Sequence, residues 1–208
     1  MFVRLLMLLG FVVAVGCSRS GDHPLLNRLR NLDKEAETRF PGRFDPGLGS
    51  LGLILDKELD QSRYSSCTPI NCRTFAHTGA EGVHFSLLMA DNQINESSPV
   101  VITIPETGQS FIVGENLYDF LCVGFYRGYF ALEQLAFHPD LTLEAFTNSN
   151  WQPTESWHSS VGYDNDDHKK QILAFLIKEL GLRPWTGPER FALLQKRYAQ
   201  KLLIPPQT

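Results

Sequence analysis

Residues 82–115 decide the fold: GVHFSLLMA (82–90), DNQINESS (91–98), PVVITIP (99–105), ETGQ (106–109) and SFIVGE (110–115). Three short runs are rich in β-branched and aromatic side chains, which fit the pleated, half-buried surface of a strand. The segments between them, Asp91-Asn92-Gln93-Ile94-Asn95-Glu96 and Glu106-Thr107-Gly108-Gln109, carry the residues that tight turns demand. Strands joined by tight turns pair antiparallel. A small antiparallel or mixed central sheet over about residues 82–115 is therefore expected, with at least three strands.

On the C-terminal side the apolar spacing changes to a helical period. Leu117, Phe120, Leu121, Gly124, Phe125, Gly128, Leu132 and Leu135 fall near one helical face, and Asn116 is placed to cap its start. Gly124 and Gly128 mark either a break in this helix or a close approach to the sheet. Residues 138–163, with Trp151, Pro153 and Trp157, read as loop. Two helices follow, one over about Asp166–Leu180 with Gly181 as its stop, the other opening at Thr186-Gly187-Pro188-Glu189.

On the N-terminal side, residues 22–40 place Leu25, Leu29, Leu32 and Ala36 at helical spacing, with Asp22 to cap and Pro24 in the first turn. PGRFDPGLGSLG (41–52) then reads as a glycine-rich loop. Helix, sheet, helices is the order of an α+β domain, here one domain over residues 23–208.

Composition agrees with a folded globular protein: 43% hydrophobic, 20% charged and 11% aromatic residues. The net charge of −4 and the absence of a Lys/Arg cluster argue against nucleic acid as a partner.

Residues 1–17, MFVRLLMLLGFVVAVGC, have the plan of a signal peptide, with Arg4 followed by an apolar run from Leu5 to Val15. That run is far shorter than the roughly twenty residues a membrane-crossing helix needs. Ala14-Val15-Gly16-Cys17 resembles the lipobox of bacterial lipoproteins, which implies cleavage before Cys17 and acyl chains on its thiol. Residues 18–22 then form a polar tether. The expected location is a bacterial membrane, lipid-anchored, with the domain facing the periplasm or the cell exterior.

Three cysteines remain beyond Cys17. Cys67 and Cys72 bracket Thr68-Pro69-Ile70-Asn71, so a turn there would let them close a small disulfide loop in an oxidising compartment. Cys122 falls in an apolar pattern and reads as a buried small hydrophobe. A CxxxxC pair without a second pair at ligand spacing does not make a zinc site, so no metal and no cofactor are expected.

Phe75-Ala76-His77-Thr78-Gly79-Ala80-Glu81-Gly82-Val83-His84-Phe85, then Ser98-Pro99-Val100-Val101, then Phe111-Ile112-Val113-Gly114-Glu115-Asn116-Leu117-Tyr118-Asp119-Phe120-Leu121, resemble the SUKH superfamily, which unites a yeast cell-wall regulator with bacterial immunity proteins. The resemblance covers about residues 64–137. Ala80-Glu81 stands where that family usually has Gly-Asp. The resemblance implies an α+β scaffold that binds a protein, such as a toxin, without catalysis. An exported immunity domain would meet a toxin acting in the envelope. Its binding rim would hold His77, Thr78, Gly79, Glu81, Gly82 and His84. A structural or assembly lipoprotein of the envelope is an alternative. A hydrolase using His77, Glu81 and His84 is another, because imidazoles and a carboxylate near one turn can move protons.

Overall fold

Residues 23–41, 46–60, 64–151 and 167–206 are described by the computed structural model. The three expected runs form β3 (His84–Leu88), β4 (Val100–Ile104) and β5 (Gln109–Gly114). Two earlier strands, β1 (Ile54–Asp60) and β2 (Cys72–His77), complete a five-stranded sheet in the order β1-β2-β3-β4-β5. Every neighbouring pair is antiparallel, so the sheet is a meander and the class is α+β. The β3–β4 connection opens with Asp91 (φ 51°) and Asn92 (φ 60°), both left-handed, while Ala90 and Gln93 exchange bonds of 2.9 and 3.0 Å. This is the two-residue turn whose twist matches that of the strands it joins.

One face of the sheet carries the apolar core. Helix α2 (Leu117–Val123) seats Phe120 there, with ring centroids 6.0 Å from Phe75, 4.9 Å from Phe85 and 4.9 Å from Tyr129. Its start is capped reciprocally. The Asn116 side chain accepts from the Asp119 N–H at 2.9 Å, and the Asp119 carboxylate accepts from the Glu115 N–H at 2.8 Å. Sheet and helix touch closely at Gly114, where a Cβ would lie 2.6 Å from the Phe120 backbone nitrogen.

The long helix read from the sequence ends at Val123, and at its C-cap, Gly124, the buried Tyr129 ring lies 2.5 Å from where a Cβ would sit, an approach that glycine alone admits. Tyr129 is fully buried and its hydroxyl donates to the Leu121 carbonyl at 2.9 Å. A 3₁₀ turn, Phe130–Ala136, carries Leu132 and Leu135 into the core. Where loop was expected after residue 138, helix α3 (Pro139–Thr147) forms. Arg127 holds its end by donating to the carbonyls of Ala145 (2.6 Å), Asn148 (3.2 Å) and Trp151 (3.0 Å) while covering the Trp151 ring. Trp151 and Trp185 are buried; Trp157 and Tyr163 lie outside the described residues.

Helix α1 (Pro24–Arg39) buries Leu26, Leu29, Leu32 and Ala36. Its cap is His23 and not the expected Asp22: the imidazole Nδ1 accepts from the Leu26 N–H at 3.3 Å. Within the glycine-rich loop, Gly47–Leu51 winds into a buried 3₁₀ turn pinned by the Asp33 carboxylate, which accepts from the Leu48 N–H at 2.8 Å. Helices α4 (Asp167–Leu180) and α5 (Pro188–Tyr198) match the two expected C-terminal helices. Helix α5 lies along β5, and the Gln195 side-chain amide bonds both the N–H (3.1 Å) and the C=O (2.7 Å) of Ile112 on that edge strand. No helix among the described residues is long and apolar enough to cross a membrane.

Candidate functional site

The residues singled out from the sequence gather at the turn between β2 and β3. Thr78 donates its N–H to the Val83 carbonyl at 3.0 Å, and Val83 returns its N–H to Ala80 at 3.0 Å. The turn needs left-handed backbone at Gly79 (φ 85°) and Gly82 (φ 72°), and Glu81 also adopts it (φ 48°). At Gly79 a Cβ would meet only the terminal methyl of Ile54, at 2.8 Å, which can yield, so glycine is favoured there chiefly for its φ. Gly79, Glu81 and Gly82 are exposed, whereas Thr78 and His84 are buried.

His77 and His84 are direct cross-strand partners, so the fold brings the two imidazoles onto one face. Glu81 does not join them. Its carboxylate acts instead on Glu133, whose pKa burial raises, with Glu81 and Glu106 adding to the effect.

The hydrogen bonds around His84 fix its proton. Nδ1 lies 2.7 Å from the Gly82 carbonyl, which only accepts, so Nδ1 carries the hydrogen. Nε2 therefore accepts from the Thr68 hydroxyl at 3.0 Å. Thr68 Oγ1 in turn accepts from the Ser65 N–H (2.9 Å) and the Ser65 hydroxyl (3.1 Å). Having spent its own hydrogen, the Ser65 oxygen accepts from the Cys67 thiol at 3.1 Å. A directed chain thus runs from Cys67 through Ser65 and Thr68 to His84 and ends on a backbone carbonyl. Both ring nitrogens of His84 are committed within it, leaving neither for a substrate or a metal ion.

Tyr64 covers this chain, its ring centroid 4.6 Å from His84 and 5.8 Å from His77. His77 is half-buried, with Nε2 4.0 Å from the Asp56 carboxylate of β1. The same face continues with hydroxyl pairs across the strands, Thr74 with Ser86 and Thr103 with Ser110, each at 3.0 Å. Tyr64, Ser65, Thr68 and Asp56 carry no motif of their own: the connection between β1 and β2 brings the first three to His84, and the pairing of β1 with β2 brings Asp56 to His77. Among the described residues no group of three or more His, Cys, Asp or Glu side chains is arranged to hold a metal ion.

The Cys67–Cys72 disulfide that the spacing would allow is not formed: both thiols are free. Cys72 opens β2 with its side chain in the core, and burial pushes its pKa up to about 12. Cys67 turns the other way, toward Ser65. Cys122 is buried and free, as its apolar neighbours in the sequence suggest. Cys17 lies outside the described residues.

Stability should fall on mild acidification. Burial lowers the pKa of His84, opposed by its bond to Gly82 and assisted by His77; burial likewise lowers that of His23, opposed by Glu96. The unfolded chain takes up these protons at about pH 6.5 and the folded chain only below it. Their contribution is therefore complete above pH 6.5 and is lost as pH drops from there toward the folded values, at up to about 1.4 kcal/mol per pH unit for each proton. Asp33 and Glu133, whose pKa values burial raises, act in the opposite sense as pH falls toward the ordinary carboxylate values of about 4. Urea midpoints at pH 7.5 and 5.5 check this, with the lower midpoint expected at pH 5.5; equal midpoints would contradict it.

The chain matches no family model, no curated protein and no solved structure.

Proposed function

We propose that this chain is a lipid-anchored, SUKH-like, non-enzymatic domain that binds a protein in the bacterial envelope, in the manner of an immunity protein against a toxin acting there. The observation that carries the reading is the leader: an apolar run from Leu5 to Val15 that ends in Ala14-Val15-Gly16-Cys17 and a polar tether. The commitment of both His84 nitrogens to Thr68 and Gly82 supports a scaffold in preference to a hydrolase. An exposed rim of Tyr64, Glu81 and the half-buried His77 offers an aromatic anchor beside charged and titratable groups, the composition that carries binding energy at protein interfaces.

The test has two parts. Intact mass and detergent partitioning should find a mature chain beginning at an acylated Cys17, and a Cys17→Ser form that stays unprocessed and out of the detergent phase. Envelope extracts passed over the anchored domain should yield a specific protein whose capture falls at least about tenfold for Tyr64→Ala with His77→Ala, the loss a hot-spot pair produces. Capture that the double variant leaves unchanged would count against the rim.

A further inference from the structure

We infer that the opposite end of the sheet, at Ile70, Leu203 and Ile204, rests on the bilayer interface, so that the β2–β3 rim faces away from the membrane; this rests on the lipid-anchor reading of Cys17. The three aliphatic side chains are 51%, 57% and 49% exposed, and the Ile70–Leu203 backbone bond sets their segments side by side. Their backbone is held in place. Ile70 donates its N–H to the Leu203 carbonyl at 2.8 Å, and the Asn71 amide brackets the same segment, donating to Lys201 O at 2.8 Å and accepting from Leu203 N–H at 3.0 Å.

The tether arrives at this same end. Asn71 accepts from the Met89 N–H at 2.9 Å, which ties the β3–β4 connection to the patch. Glu96 of that connection acts electrostatically on His23, the first described residue after the tether. Only residues 18–22 separate His23 from Cys17, so His23 lies within about 20 Å of the acylated residue. A folded partner domain of 100 residues, about 33 Å across, does not fit in that gap, whereas lipid headgroups do. The rim stands at the far end of β2, about 17 Å further out along the strand.

The test uses the full, lipidated chain in vesicles of phosphatidylcholine and phosphatidylglycerol. An environment-sensitive fluorophore is placed at Leu203→Cys or, as a comparison, at Glu81→Cys, each with Cys67→Ser, which keeps the hydroxyl bond to Ser65. The probe at position 203 should shift to the blue and lose most of its emission to spin-labelled lipids, while that at 81 does neither. Ile70→Ser with Ile204→Ser should abolish the quenching without releasing the protein from floating vesicles. Vesicles that carry the protein with the position-203 probe still solvent-like would overturn the docking and leave the anchor standing. Quenching that survives the double substitution, or that appears equally at position 81, overturns it as well. Protein that does not float overturns both readings.

Discussion

Phe120→Ala is expected to lower the unfolding free energy by about 3 to 5 kcal/mol, the range for emptying a buried phenylalanine site. The ring is fully buried and joins three elements, touching Phe75 on β2, Phe85 on β3 and Tyr129 beyond α2. None of these neighbours can close the space without leaving its own contacts, because Phe85 is fixed by its pairing with Ala76, Phe75 is fully buried at the irregularity of β2 beside it, and Tyr129 is held by its bond to Leu121. Relaxation is limited and the cavity persists. Phe137→Ala gives the comparison: that ring is 43% exposed, and its loss should stay within about 0.5 kcal/mol. Urea unfolding of the two variants separates them, and equal midpoints would refute the central place given to Phe120.

Gly114→Ala is expected to cost about 3 kcal/mol, the upper part of the range for overpacking. The backbone at this position is ordinary, so the cost is steric. The added Cβ would lie 2.6, 2.7 and 2.8 Å from the nitrogen, Cβ and Cα of Phe120, all of them atoms that a change of rotamer cannot move. Helix α2 itself would have to lift from the sheet. Since an alanine at position 120 retains those three atoms, Phe120→Ala should not rescue Gly114→Ala, although it would if the clash were with the ring. Gly181→Ala tests the alternative source of cost. Nothing lies within 4 Å of that position and only its φ of 60° is strained, so about 1 kcal/mol is expected.

The centre of the fold was legible because β3, β4 and β5 are buried and apolar, and the turn residues between them have one favoured use. β1 was not, since Ile54-Leu55-Asp56-Lys57-Glu58-Leu59-Asp60 puts Leu55 and Leu59 at helical spacing and mixes charges of both signs. Edge position explains the composition: charged side chains suit a strand at the margin of a sheet. β2 was hidden by the irregular register between Thr74 and Ala76, which breaks the alternation by which a strand is recognised. Helix α3 begins at Pro139 without a side-chain cap, and Arg127, outside the helix, holds its end, a signal no local pattern carries. At the candidate site, His77 and His84 were visible because they flank a glycine-rich turn. The chain of Cys67, Ser65 and Thr68 was not, because it depends on a loop folding back over β3.

Gln195 acquires a further meaning if the protein is confined to a membrane. Copies restricted to a plane meet often and in similar orientations, conditions in which an open strand recruits its counterpart on the next copy and the sheet grows from molecule to molecule. At β5 the amide of Gln195 already occupies the donor and acceptor of Ile112 that such a recruit would need first. At β1 the Arg30 guanidinium donates to the Asp56 carbonyl at 3.1 Å. One side chain from each flanking helix thus occupies backbone groups at either margin of the sheet that a strand from a crowded neighbour would otherwise take.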